Sequence, residues 1–425
     1  MNEATIDPSN LLCHLEDILD SDPHIDEVGF IHPMQFAAFN EEDHSGSGTH
    51  LTDEITRKPV RDSSSHTFFW HSKHKLGIST IVLLPLYRAA KDAFLDAYKG
   101  YRMLRDSQLK KDESLENSAL TCLPSLLDTM EKEVMRHSKA LLLLSCDFGT
   151  AWNARKLIVS RKLLSPMFTD ELLLSALVLS YSPKSERAWS HRRWVIKMIA
   201  GKSANMQEIV ERESELVKTL AENSKMNYRA WSHRCWLVSY MSDSQVLLEL
   251  QSSRDWAGLH VADNSCFHYR SRLLLRMIEN LRHNNDSDGF SGAEFHQKWK
   301  EELDWVGMLI KRYVGREALW LHRRFLSLVW MKHLAIDDQC GFIKDEITLS
   351  QSSTIIPDND YGDYQAQATY SATYIMWLAK QMPMSFGVEL RKSSHYEALK
   401  LFAGNVGKSC LWDSTTSIIE ICDDR

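Results

Sequence analysis

Lys184, in Pro183-Lys184, and Arg229, in Asn227-Tyr228-Arg229, stand at the entrances to two segments that the chain spells almost identically. Cations placed at successive turns line up along one edge of a stacked structure, where they suit a phosphate or an acidic partner. Solvated surface charge is the competing reading of the same two residues. His191, His233 and His322 each sit just before an Arg, and His268 stands one position earlier in its own segment. Four histidines in matching places suggest a metal, but equivalent residues in a stack lie a repeat apart, too far for one ion at ~2.0 Å from each. Packing or hydrogen bonding is therefore the expected role. No nucleotide loop, GxSxG, HExxH or Cys-His pair at a diagnostic spacing occurs. With no complete active site in view, the chain reads as a scaffold or a subunit.

The elements that carry these residues are repeats. Arg187-Ala188-Trp189-Ser190-His191-Arg192-Arg193-Trp194 returns as Arg229-Ala230-Trp231-Ser232-His233-Arg234-Cys235-Trp236, with seven of eight positions identical at an offset of 42. Weaker copies flank the pair: Trp152 with Arg155, Phe267 with Arg270, and Trp320 with Arg323. Successive aromatics are separated by 37, 42, 36 and 53 residues, and the long interval contains His283-Asn284-Asn285-Asp286-Ser287-Asp288-Gly289, which reads as an inserted loop. Residues three apart share a helix face, so each aromatic lies above its Arg. An indole N–H needs an acceptor, and the Arg can bond a neighbouring unit, so Trp152, Arg155, Trp189, Arg192, Trp231, Arg234, Phe267, Arg270, Trp320 and Arg323 are predicted to pack repeats together. The fold class that follows is all-α, an alpha-alpha superhelix (solenoid) of about five or more helical hairpins.

Composition narrows the class of partner. Fifty Lys and Arg against 57 Asp and Glu give a net charge of −7, which argues against nucleic acid. The eight cysteines form no CxxC and read as reduced thiols of a cytoplasmic protein. Met1 to Pro8 lacks the pattern of a signal peptide, and no apolar run is long enough to span a membrane. Cys422 is followed by Asp423, Asp424 and Arg425, which argues against lipidation of this chain.

In chain order, residues 1–119 read as an N-terminal helical region with a polar loop at 40–65, 120–340 as the repeats, and 341–425 as a divergent helical cap. Periodicity predicts helices over Leu11 to Leu19, Ile78 to Leu104, Leu120 to Asp147 and Glu171 to Tyr181. Asn205 with Glu208, and Ser242 with Gln245, look like helix caps. Gln351 to Tyr374 is polar and reads as poorly regular, with one or two terminal helices over Tyr374 to Trp412.

The stretches 183–193 and 227–234 resemble the repeat of protein prenyltransferase alpha subunits, a likeness covering roughly Leu120 to His333. Ile25 to Gly29 and His74 to Ile78 look more like the protein prenyltransferase alpha subunit repeat-containing proteins than the ordinary farnesyl or Rab enzymes. The resemblance implies a right-handed alpha-alpha superhelix of paired helices wrapped around a beta subunit that holds zinc and the prenyl pocket, while this chain supplies cations to the prenyl diphosphate. Lys184 matches the family's turn lysine, and Arg229 stands where the farnesyl enzyme has a His; Ser185-Glu186 departs from the family's Asn-Tyr. Transfer of a geranylgeranyl or farnesyl group to a cysteine near the C-terminus of a protein is the implied reaction. A beta subunit like that of the Rab geranylgeranyl transferase is the implied partner, and no cofactor is expected in this chain. A helical-repeat adaptor without prenyl chemistry is the alternative.

Overall fold

A computed structural model describes residues 7–36, 68–111, 123–201, 206–283, 292–334, 339–357, 362–405 and 413. The polar loop at 40–65, Asn205, and residues 284–289 of the inserted loop lie outside them. The chain divides into two compact units, residues 1–233 and 234–425. Helical hairpins build both, so the fold is the all-α repeat architecture that the spacing predicts.

Unit 1 opens on helix α1 (Pro8–Ser21), capped by the Asp7 side chain with Pro8 in its first turn. The helical reading of residues 1–119 needs one correction here. Strands β1 (Glu27–Ile31), β2 (Phe69–Ser72) and β3 (Lys75–Ser79) form a sheet in the order β1-β3-β2, with β1 parallel and β2 antiparallel to β3. Leu76 to Ser79 are buried one after another, which a strand covered on both faces permits. The helix expected from Ile78 therefore starts at Leu83, with Pro85 in its first turn, and runs as α2 (Leu83–Lys111). The two-residue turn joining β2 to β3 places Lys73 at φ 48° and His74 at φ 63°, where Asn-Gly is usual. His74 Nδ1 lies 2.9 Å from Asp22 Oδ2, and His71 Nε2 lies at the same distance from that oxygen, so the turn is pinned to the end of α1.

Next come α3 (Leu123–Leu144), α4 (Gly149–Lys162), α5 (Ser165–Tyr181), α6 (Glu186–Ala200), α7 (Met206–Asn223) and α8 (Tyr228–Leu237). Helix α1 is held to α3 by Arg136 with Asp17 at 2.7 Å, His137 with Glu16 at 2.6 Å, and Lys139 Nζ donating to the Leu19 carbonyl at 2.9 Å. One apolar core runs from Leu15 through Phe94, Leu141, Trp152 and Val178 to Trp189. Burying Leu or Val in it is worth about 1.5–3 kcal/mol each.

Unit 2 contains α9 (Asp243–Leu259), α10 (Asn264–His283), α11 (Gly292–Arg312), α12 (Glu317–Val329), α13 (Gln339–Ser353), α14 (Asp363–Gln381), α15 (Val388–Lys392) and α16 (His395–Asn405). Ser242 and Gln245 form a full capping box at α9. Gln351 to Tyr374 is more regular than its polarity suggests, because Asp363 onward is helix α14. Ala368, Ala372, Ile375 and Ala379 bury one face of α14, and Gln367 serves as a hub: it accepts from Gly315 N and Trp320 Nε1, both at 3.0 Å, and donates to the Ile310 carbonyl. Tertiary packing outweighs local composition there.

Gly315 sits at φ +75° with the Asp363 carbonyl oxygen 2.8 Å from where a Cβ would stand. Gly315→Ala is therefore expected to lower the urea midpoint of the full chain, by about 1–3 kcal/mol of stability. A Gly315→Ala chain as resistant to urea as the parent would mean that α14 yields to make room.

Candidate functional site

The predicted repeat residues converge on one buried arrangement, built repeatedly within each unit. Trp152 and Trp189 each turn their indole N–H back to the carbonyl six residues earlier, Cys146 at 2.8 Å and Pro183 at 3.0 Å, closing the turn that starts the motif helix. Below the aromatic, Arg155 donates to Glu171 on α5, to the Met135 carbonyl and to Ser138 Oγ. Arg192 repeats this with Glu213, the Leu172 carbonyl and Ser175 Oγ. In unit 2, Arg270 does the same with Glu302, the Leu250 carbonyl and Ser253 Oγ. Arg234 pairs with Glu249, and Arg323 with Glu346.

Each carboxylate also holds the next motif. His191 Nε2 donates to Glu171 at 2.7 Å, His233 to Glu213 at 2.9 Å and His322 to Glu302 at 3.0 Å. The imidazoles lie over the preceding aromatics, His191 over Trp152, His233 over Trp189 and His322 over Phe267, with centroids 4.6, 4.8 and 5.3 Å apart. His268 takes no such place; it is exposed, and the Tyr269 hydroxyl donates to Glu249 instead. Tyr374 plays that part for Glu346 and packs 5.5 Å from Trp320. Sequence reading missed the five glutamates, although a signal exists. Arg-to-Glu spacings scatter over 16, 21, 15, 32 and 23 residues, whereas Glu to the following His or Tyr is 20 in the first four cases.

Burial alone would raise Glu171, Glu213 and Glu302, but the guanidinium and imidazole on each reverse that and hold their carboxyls at about 2. Burial pushes His191, His233 and His322 below the usual imidazole value, against the pull of the carboxylate. The resident state is therefore Arg⁺, Glu⁻ and neutral His. Among the described residues, no cluster of His, Cys, Asp and Glu can hold a metal ion.

The turn cations lie together at the edge of unit 1. Lys184 Nζ donates to the Lys225 carbonyl at 3.1 Å, and Asn227 Nδ2 donates to the Pro183 carbonyl at 3.0 Å, so the turns before α6 and α8 touch. Arg229 forms an ion pair with Glu186 and stacks on Tyr228 at 4.9 Å. Met226, at φ 54°, and Tyr228 are exposed beside them, 79% and 55% accessible. The edge thus combines cations, a carboxylate and uncovered apolar surface.

The model of the protein prenyltransferase alpha subunit repeat matches residues 168–199, 210–241 and 299–328. Those stretches correspond to the hairpins α5–α6, α7–α8 and α11–α12. The chain therefore carries protein prenyltransferase alpha subunit repeats. It is 31% identical over 231 residues to protein prenyltransferase alpha subunit repeat-containing protein 1 of Danio rerio, covering 45% of this chain and 54% of that protein. To the protein of the same name in Homo sapiens it is 32% identical over 255 residues, 50% of this chain and 63% of the relative. With the 1-A protein of Xenopus laevis the identity is 29% over 274 residues, 55% and 62% of the two chains. The chain thus spans about half to three-fifths of the length of these relatives. Its repeat network reaches past the matched segments, since Arg155–Glu171 and Arg270 have the geometry of the matched Arg192–Glu213.

Glu213→Gln would leave Arg192 charged and underpaired in the interior, and is expected to cost about 3–5 kcal/mol. Glu208→Gln, at an exposed pair with Arg212, is expected to cost no more than about 1 kcal/mol. Equal urea midpoints for the two variants would refute the bridging role. Acid should act on the same network. The histidines take up protons more readily unfolded, so stability begins to fall below the free imidazole value of 6.5. The glutamates add their loss as pH drops from 4.5 toward about 2. Thermal melts across pH 7 to 3 check this, and a flat profile between 6.5 and 5 would contradict the neutral-histidine assignment.

Proposed function

We propose that this chain is the alpha-type subunit of a heterodimeric protein prenyltransferase, supporting transfer of a geranylgeranyl group from its diphosphate to a cysteine near the C-terminus of a protein. The observation that carries the reading is the juxtaposition of Lys184 and Arg229 on touching turns of a prenyltransferase alpha subunit repeat. Cations there stabilise the charge that grows on a departing diphosphate, which acts in the transition state more than in the ground state. The exposed Met226 and Tyr228 beside them suit an apolar prenyl chain or the wall of a partner.

The partner is a beta subunit like that of the Rab geranylgeranyl transferase, met in the cytoplasm. Zinc would belong to that subunit, where it would hold the substrate cysteine as its thiolate. This chain contributes shape and positive charge. Arg229 is engaged by Glu186, so a diphosphate has to compete with that carboxylate. Glu186 is also the observation that favours the second reading, an adaptor in which the ion pair only fastens one turn to the next.

Reconstitution with such a beta subunit and a cysteine-bearing protein substrate separates the two. Lys184→Ala and Arg229→Ala are each expected to lower kcat/KM for geranylgeranyl diphosphate about tenfold to a hundredfold, the worth of a charge-assisted hydrogen bond, with most of the loss in kcat. Glu186→Gln is expected to raise it. An active heterodimer indifferent to all three changes would remove the diphosphate role, and a chain that yields no prenyl transfer with the beta subunit would favour the adaptor.

A further inference from the structure

We propose that Lys139 is an acyl-acceptor lysine, modified within a cavity of unit 1 by transfer of a short acyl group from a thioester. The cavity, about 420 Å³, opens between α1, α3 and α5. Leu19, Ile25, Met135, Met167, Leu174 and Leu177 give it apolar walls. Lys139 reaches it from α3 and makes one hydrogen bond, to the Leu19 carbonyl at 2.9 Å.

The charges around the amine explain why it differs from a surface lysine. Asp20 and Asp22 face it from α1 and the residues after it, Lys132 and Arg136 from α3, Arg155 from α4 and Asp170 from α5. Asp20 is held by Arg136 at 3.0 Å, Asp22 by His71 and His74, and Lys132 by Asp128 at 2.8 Å. Among the described residues no carboxylate forms an ion pair with the Lys139 ammonium. Burial first, and then the Arg155 guanidinium, shift it toward the neutral amine, with the three aspartates opposing. A neutral amine is the nucleophilic form.

The step is balanced by the donor itself. The nitrogen lone pair attacks the thioester carbonyl, the N–C bond forms, the C–S bond breaks, and the thiolate leaves with the proton that the nitrogen sheds. The product amide retains one N–H for the Leu19 carbonyl, and its methyl or methylene groups gain the apolar walls. Loss of the positive charge removes the repulsion with Arg155. The modification therefore costs α1 none of its anchoring to α3 and fills space that is otherwise open.

The test is competitive labelling of the full chain. With acetyl-coenzyme A at near-neutral pH, and peptide mass spectrometry at early times, Lys139 is expected to acetylate severalfold faster than the exposed Lys218 and Lys300, because burial and the Arg155 guanidinium leave more of its amine free. Its labelling should also persist to lower pH than theirs. Lys139→Arg should remove that peptide's signal and leave the other two rates unchanged. Labelling of Lys139 no faster than Lys218 and Lys300, or with their pH dependence, overturns the proposal.

Discussion

A buried carboxylate shared by two hairpins is the constraint on which this architecture turns. Arg192 with Glu213 is a costly pair to remove from water, and the attraction offsets that cost only because further hydrogen bonds complete both groups. The guanidinium also satisfies a carbonyl and a serine on the helix behind it, while the carboxylate accepts from the imidazole of the motif ahead. Four helices, α5 to α8, are thereby fixed around one ion pair. A sliding hydrophobic interface between helices could repack in several registers; this one has a single arrangement in which no buried charge is left alone.

The aromatic residues set the same register by a different route. Trp152 and Trp189 close their own turns through the indole N–H and offer a ring face to the next imidazole. Turn, ring and ion pair agree at both of these motifs, which is how a sequence singles out one structure. At the edge of unit 1 the outcome is a pair of turns held close enough for Lys184 and Arg229 to share a border. The candidate site is a by-product of the stacking rather than a pocket built for itself.

Much of this was legible in the sequence because Trp and Arg recur three apart, a spacing that only a helix makes meaningful. The glutamates escaped notice because an acidic residue on an amphipathic helix ordinarily faces water. Tyr269 was not legible because the motif's histidine is displaced to His268 in this repeat and a tyrosine hydroxyl, which donates to a carboxylate as readily as a ring nitrogen does, takes its place. The sheet was missed because Leu76-Gly77-Ile78 is too short a run for periodicity to resolve. Helix α14 was missed because its decisive residues, Gln367 and Tyr374, act through partners distant in sequence. Lys139 has no motif at all, and its surroundings exist only once α1, α3 and α5 have met.

The two spacings in the network carry an evolutionary corollary. The distance from Arg to its Glu has stretched to 32 residues between Arg270 and Glu302, while the step from Glu302 to His322 has kept its length of 20. Chain can be spliced in after a motif helix without disturbing the lock, but a single residue gained or lost between Glu and His would misalign it. Lineages descended from such a protein should therefore accumulate their length differences at the hairpin junctions, and hairpins should be inherited whole.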